Sequence, residues 1–298
     1  MSHESNAEKQ TRALNALSLL YHDVTEAGDF DSSGFTGPAA AHYKLTWSDF
    51  TSHMEAIRGV LQAPPVTISD LLLRSSSHRE FVLSFDDGGA SSMRIADTLA
   101  KYGWKAHFFI STDFIGTPGF LAAEQIAELS RQGHIIGSHS CSHPRRMSSC
   151  SWQTLLLEWK NSIEVLSQII AAPVQFASVP GGNSSRQVEF AAAESGIRVL
   201  FTSEPTTRVK VVNSCFVLGR YGVIRGISAA SAASVAAGDV LPRAKQFVSW
   251  KVKMTIKGIA GGYYDRFRDF CFGENSSAQT SRGGATLAPL AKAERKGQ

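Results

Sequence analysis

Phe81-Val82-Leu83-Ser84-Phe85-Asp86-Asp87-Gly88-Gly89 decides how the rest of the chain is read. Its first half is a short apolar run of aromatic and branched residues, as in a parallel strand buried on both faces, and it stops at two adjacent carboxylates and two glycines. Packing does not ask for such an ending. Two ionised carboxylates side by side repel and lose solvation on burial, so Asp86 and Asp87 need a compensating positive charge, for which a metal ion is the most economical source. The alternative is an ordinary solvated Asp-Asp-Gly turn. Other segments must decide between them.

Outward from this stretch, an apolar strand, a turn and an amphipathic helix repeat at intervals suited to βαβ units. Strands are expected over 16–21, 106–111, 134–138, 174–178, 199–202 and 216–221, and helices over 92–102, 122–132, 152–170 and 186–195. Earlier, Thr46 to Asp49 reads as a capping box opening a helix whose apolar face is Phe50, Met54, Ile57 and Leu61, ended by Pro64-Pro65. Residues 66–68 read as a short extended piece. About seven parallel strands suit a distorted (β/α) barrel. An open doubly wound sheet competes, but no GxGxxG or Walker pattern is present.

The 298 residues, 43% hydrophobic and 19% charged, fit a globular protein, and a net charge of +4 is small enough to argue against nucleic acid as the main partner. Residues 1–16 lack the apolar core of a signal peptide, and no segment approaches the roughly 20 apolar residues of a membrane span, so a cytoplasmic location is expected. Cys141, Cys150, Cys215 and Cys271 form no CxxC pair and read as reduced packing residues. The organisation expected is a polar tail over 1–16, the barrel over 17–242, a basic amphipathic helical segment over 243–273 and a disordered tail over 274–298. The basic segment carries Arg243, Lys245, Lys251, Lys253, Lys257, Arg266 and Arg268 against Asp265, interleaved with apolar residues. It reads first as helix packed on the barrel with a solvated basic face, and second as a weak contact to an anionic membrane surface.

The second informative stretch is Gly137-Ser138-His139-Ser140-Cys141-Ser142-His143-Pro144, directly after an expected strand. Two histidines four apart share one face if the loop makes a helical turn, and with a strand-terminal carboxylate they make a two-histidine, one-carboxylate metal site. Such a site leaves coordination positions open, which favours chemistry. His22-Asp23, Asp86-Asp87, Thr112-Asp113, His139 to His143, Pro180-Gly181-Gly182, Ser203-Glu204 and Arg220 all follow carboxyl ends of expected strands, which meet on one face of a parallel barrel.

With these motifs in place, the chain resembles the NodB-type polysaccharide deacetylases, metal-dependent carbohydrate esterases with a distorted (β/α) barrel, over residues 17 to about 226. Ser84-Phe85-Asp86-Asp87-Gly88 is similar to that family's Thr-Phe-Asp-Asp-Gly motif, and His139 to His143 to its second. The resemblance implies Asp87, His139 and His143 as metal ligands and Asp86 as general base. It fails at two places. The third motif carries an Arg ahead of its Pro, where this chain has Ser178-Val179-Pro180-Gly181-Gly182, which removes the expected partner of the base. The last motif, Leu-x-His, has Arg220 at its acid position in Leu218-Gly219-Arg220, and arginine cannot deliver a proton at working pH, though it can steady an oxyanion. Leu20-Tyr21-His22 reads as Leu-x-His in its own right, which brings the resemblance nearest to the circularly permuted branch similar to deacetylases of poly-N-acetylglucosamine, and implies His22 as general acid.

The resemblance further implies removal of acetyl groups, N-acetyl before O-acetyl, from an acetylated glycan or its sugar precursor, as in exopolysaccharide biosynthesis. The divalent metal implied is Zn2+, with Fe2+, Co2+, Ni2+ and Mn2+ suiting the same ligands. Asp23, Pro180, Gly181 and Arg220 are expected to meet substrate, Asp23 alternatively orienting His22 or facing solvent. Two rivals stand: a catalytically silent carbohydrate-binding or scaffold protein, favoured by the missing third-motif Arg, and a non-haem Fe(II) oxygenase, which leaves Asp86 unexplained.

Overall fold

A computed structural model describes residues 14, 16–73, 79–182 and 184–259. Nearly all of the expected tail over 1–16, the tail over 274–298, Cys271 and the basic segment past 259 lie outside these residues.

The strands are β1 (Ala16–Tyr21), β2 (Val24–Thr25), β3 (Leu45–Thr46), β4 (Glu80–Phe85), β5 (His107–Ile110), β6 (Ile135–Ser138), β7 (Phe176–Ser178), β8 (Val199–Phe201), β9 (Lys210–Val212), β10 (Cys215–Leu218) and β11 (Tyr221–Gly222). Nine of them form one sheet in the order β11-β1-β4-β5-β6-β7-β8-β10-β9, parallel throughout except where β9 runs antiparallel to β10, while β2 and β3 pair separately. Every residue of β1 and all but the first of β4 are buried, as strands covered on both faces require.

The strand expected over 216–221 is two strands. β10 pairs with β8 near one end of the sheet and β11 with β1 at the other, so Gly219 and Arg220 alone join the two ends of the order and the sheet curls on itself. Only glycine fits this crossing: a Cβ on Gly219 would stand 2.2 Å from the Glu204 carbonyl oxygen and 2.6 Å from that of Thr206. Among the described residues the parallel strands therefore number eight, against the seven or so expected, in a curled (β/α) barrel of the expected class.

The helix Trp47–Val60 starts where the Thr46 hydroxyl accepts the Asp49 N–H, and buries Phe50, His53, Met54 and Ile57. It packs on Ala229–Ala237, a helix without large side chains, whose alanines allow close approach and whose weak periodicity hid it in the sequence. Helices Ser92–Ala100, Ala123–Arg131, Trp152–Ile170 and Arg186–Glu194 cover the outside of the barrel much as expected. Inside it, Val82, Phe109, Val199, Phe201, Phe216 and Leu218 pack with Leu14 and with Ile68 and Leu71 of a short helix, Ile68–Leu73, which replaces part of the extended piece expected there. The Ile68 N–H donates to His107 Nε2 at 2.9 Å and His107 Nδ1 contacts the Leu83 carbonyl at 2.9 Å, so the buried imidazole is held neutral, its pKa pushed down to about 4 by burial.

Candidate active site

The turn after β4 is built so that two carboxylates end a buried strand. Asp87 takes φ 79°, left-handed backbone that Asp tolerates better than bulkier residues. Gly88 follows at φ 83°, and a Cβ on Gly89 would lie 1.9 Å from Asp23 Oδ1. Conformation therefore demands the first glycine and close approach the second.

Asp87, His139 and His143 converge. Asp87 Oδ1 stands 3.4 Å from Nε2 of each histidine, and the three ligand atoms lie within 4.8 Å of one another. Two ligands each about 2.1 Å from one ion stand roughly 3.0–3.4 Å apart at angles near 90–110°, so the donors are already at coordinating separations. The histidines meet without the helical turn expected of their spacing: Ser140 (φ 64°) and His143 (φ 53°) are both left-handed in a loop. Glu158, from the helix Trp152–Ile170, accepts the N–H groups of Cys141 and Ser142 at 2.9 Å and the Ser142 hydroxyl at 2.6 Å, and Ser140 Oγ accepts the His143 N–H. Cys141 turns toward Glu158, as expected for a packing residue, and burial pushes its thiol up to about 11. His139 Nδ1 reaches Ser178, 2.5 Å from its hydroxyl and 3.1 Å from its carbonyl; donation from Nδ1 leaves the Nε2 lone pair for a metal.

Asp86, beside them, is almost wholly buried and ion-paired. Arg220 Nη1 and Nη2 donate to its two oxygens at 2.7 and 2.8 Å, and the Ser178 hydroxyl donates to Oδ1 at 3.1 Å. Burial would raise the Asp86 pKa, but Arg220 and His139 hold it below the usual carboxylate value; burial acts the same way on Asp87, where the nearby imidazoles of His139 and His143 prevail and hold it well below. Both carboxyls are ionised.

Two expectations about substrate contacts are corrected. Arg220 has no exposed surface: it also donates to the Thr202 carbonyl and the Ser84 hydroxyl, so it braces the barrel wall behind Asp86 and does not meet substrate or an oxyanion. It gives Asp86 the arginine contact that the third motif lacks, with Ser178 as a second donor. Asp23 is also buried, accepting the Ser33 and Ser91 hydroxyls with one oxygen, and neither faces solvent nor orients His22, whose Nδ1 is buried without a partner. Pro180 is buried, while Gly181 (φ 62°) is exposed on the rim.

His22, at the end of β1, lies within reach of the charges of Asp87, Asp86, His139 and Arg220; burial lowers its pKa while the two carboxylates raise it. The Tyr43 ring lies against it, tilted by 43°, with the ring centres 5.0 Å apart. Sequence reasoning also missed the loop before Tyr43. Buried Lys44 donates to the carbonyls of Phe30 and Ser33 at 2.6 Å and to that of Phe35, which sets the Phe35 ring 4.6 Å from His143 and against Phe114 and Phe120. Phe35 in a Gly- and Ser-rich loop was the one available signal.

Residues 74–200 match the family model described as polysaccharide deacetylase. YxkH of Bacillus subtilis, named for the same family, is 26% identical over 192 residues, covering 63% of this chain and 64% of its own. Peptidoglycan-N-acetylglucosamine deacetylase PgdA of Listeria monocytogenes is 29% identical over 144 residues, 47% of this chain and 29% of its own, so the chain spans less than two thirds of either relative. Among solved structures, IcaB from Ammonifex degensii superposes with TM-score 0.62 (16% identity, 74% of this chain, 97% of that one), and the Streptococcus pyogenes deacetylase PplD in complex with acetate with 0.60 (16%, 72% and 94%). These likenesses define a deacetylase-type (β/α) barrel. Over residues 74–200 the chain resembles the polysaccharide deacetylase family.

Proposed function

We propose that the protein is a metal-dependent hydrolase that removes acetyl groups, N-acetyl in preference to O-acetyl, from a polysaccharide or its sugar precursor. The observation that carries this is the pairing of two units at one strand end: the Asp87-His139-His143 donor set and, beside it, an ionised Asp86 gripped by Arg220. The donor set fits Zn2+, and Fe2+, Co2+, Ni2+ or Mn2+ would take the same ligands. Held by these three residues, such an ion would supply Lewis acidity to an acetyl carbonyl and to a water.

The chain's own residues supply the rest. Asp86, fixed by Arg220 and Ser178, accepts the proton of the attacking water. Its lowered pKa keeps it ionised for this, and the Arg220 fork stops it rotating toward the cation site. His22 protonates the departing nitrogen. An amine leaves far less readily without a proton than an alkoxide does, so a histidine set apart from the ligands favours the N-acetyl reading. Phe35 and Tyr43 flank the histidines and offer apolar faces to the sugar ring. The silent-scaffold reading rested on the missing Arg, and Arg220 removes that support.

Metal-loaded protein is expected to release acetate from N-acetylglucosamine oligomers faster than from O-acetylated xylan. Asp86→Asn should lower the rate by roughly 10²–10⁴-fold with metal content retained. Failure to release acetate from any acetylated glycan or ester would favour the silent reading.

A further inference from the structure

The helix Val240–Ile259 carries two faces that the deacetylase reading does not use. Its inner face, with Arg243, Trp250 and Met254 half-buried, is fastened to the barrel by Arg243, which donates to the Tyr221 hydroxyl at 3.1 Å and to the Gly238 carbonyl at 2.9 Å. The outer face repeats at three- and four-residue steps as Leu241, Ala244, Val248 and Val252, with Leu241 82%, Val248 61% and Val252 54% exposed. Lys245 and Lys251 stand exposed on either side of this stripe, Lys251 leaning over the Phe247 and Trp250 rings. Between residues 240 and 259 the sequence has Arg243, Lys245, Lys251, Lys253 and Lys257 and no acid.

We infer that this outer face is a docking surface for an anionic phospholipid bilayer, on which the helix lies in the plane of the headgroups. An apolar stripe edged by lysines, whose stems bury while their ammonium groups reach the phosphates, is what an interfacial helix presents. At about 30 Å the helix is long enough to lie along such a surface, and no described helix is long and apolar enough to cross one. A second copy of the chain is the poorer occupant, because it would set lysines against lysines with no acid on the face to pair them. The helix starts where Gly238 meets Arg79, just ahead of β4.

The inference stands independently of the hydrolase reading and is tested by co-sedimentation of the full chain with vesicles. Phosphatidylcholine vesicles containing phosphatidylglycerol should bind the protein and pure phosphatidylcholine should not, with binding reversed by high salt. Lys245→Gln and Lys251→Gln should each weaken binding roughly fivefold, and Val248→Asp should abolish it, with thermal midpoint and acetate release from soluble oligomers unchanged. Absence of binding to the anionic vesicles, or binding undiminished by Val248→Asp, overturns the inference. So does a dimer in sedimentation velocity that Val248→Asp dissociates, which would assign the face to a second copy.

Discussion

Asp86 shares both its oxygens with Arg220 inside the barrel, and the pair braces the wall of the site. Removing one partner strands a buried charge, so Arg220→Met should cost about 3–5 kcal/mol in denaturant unfolding and abolish acetate release. Arg220→Lys keeps the charge without the fork and should fall between. Retained stability in Arg220→Met would contradict the brace. Glu158 acts at one remove, tying down the loop between the two histidines; Glu158→Ala should weaken metal affinity by ~10–100-fold in chelator competition, and an unchanged affinity would deny it that role. The carboxylate pair and the two histidines were legible because each motif is contiguous and chemically unusual. Arg220 was legible as a departure from pattern only, since its partner is 134 residues away and the barrel's closure alone brings them together. Glu158 is one acid among several on a long helix, and nothing local marks it.

The element that places the site is the Asp-Asp-Gly-Gly turn, locked from below by Asp23. Gly89→Ala would drive a Cβ to 1.9 Å from Asp23 Oδ1, and we expect a loss of at least about 1–3 kcal/mol, read as a lowered thermal midpoint. Gly59, inside the helix Trp47–Val60 with nothing within 4 Å of its would-be Cβ, is the contrast: Gly59→Ala should gain up to about 1 kcal/mol. Equal effects of the two would show that crowding at the turn is unimportant. At this scale most of the barrel could be read. Periodicity placed β1 and the helix Trp152–Ile170 at their observed bounds. It merged β10 with β11, because the apolar run continues across a crossing that only tertiary crowding at Gly219 reveals.

Across the whole molecule, protonation sets an acid limit on stability. His107 and His134 are both pushed down to about 4 by burial, so as pH falls below about 6.5 the unfolded chain takes up these protons first. Their contribution is full above about 6.5 and is lost as pH drops toward 4, with His107 accounting for about 3 kcal/mol. Asp23 opposes this: burial raises it to about 6, so its contribution is full below its ordinary value of 3.8 and fades as pH rises through 6. Two histidines outweigh one carboxyl. Denaturant midpoints should therefore fall between about pH 6.5 and 4.5, and His107→Gln should flatten the slope; a level profile in the unaltered protein would contradict the neutral, buried imidazoles.

The proposed function turns on a cation that Asp87, His139 and His143 would hold beside Asp86. The most direct test is acetate release from N-acetylglucosamine oligomers while chelator-stripped protein is titrated with zinc. Release should rise in proportion to occupancy and level off at one ion per chain; a fully occupied site that releases no acetate, or release that persists in the stripped protein, would contradict a metal-dependent hydrolase.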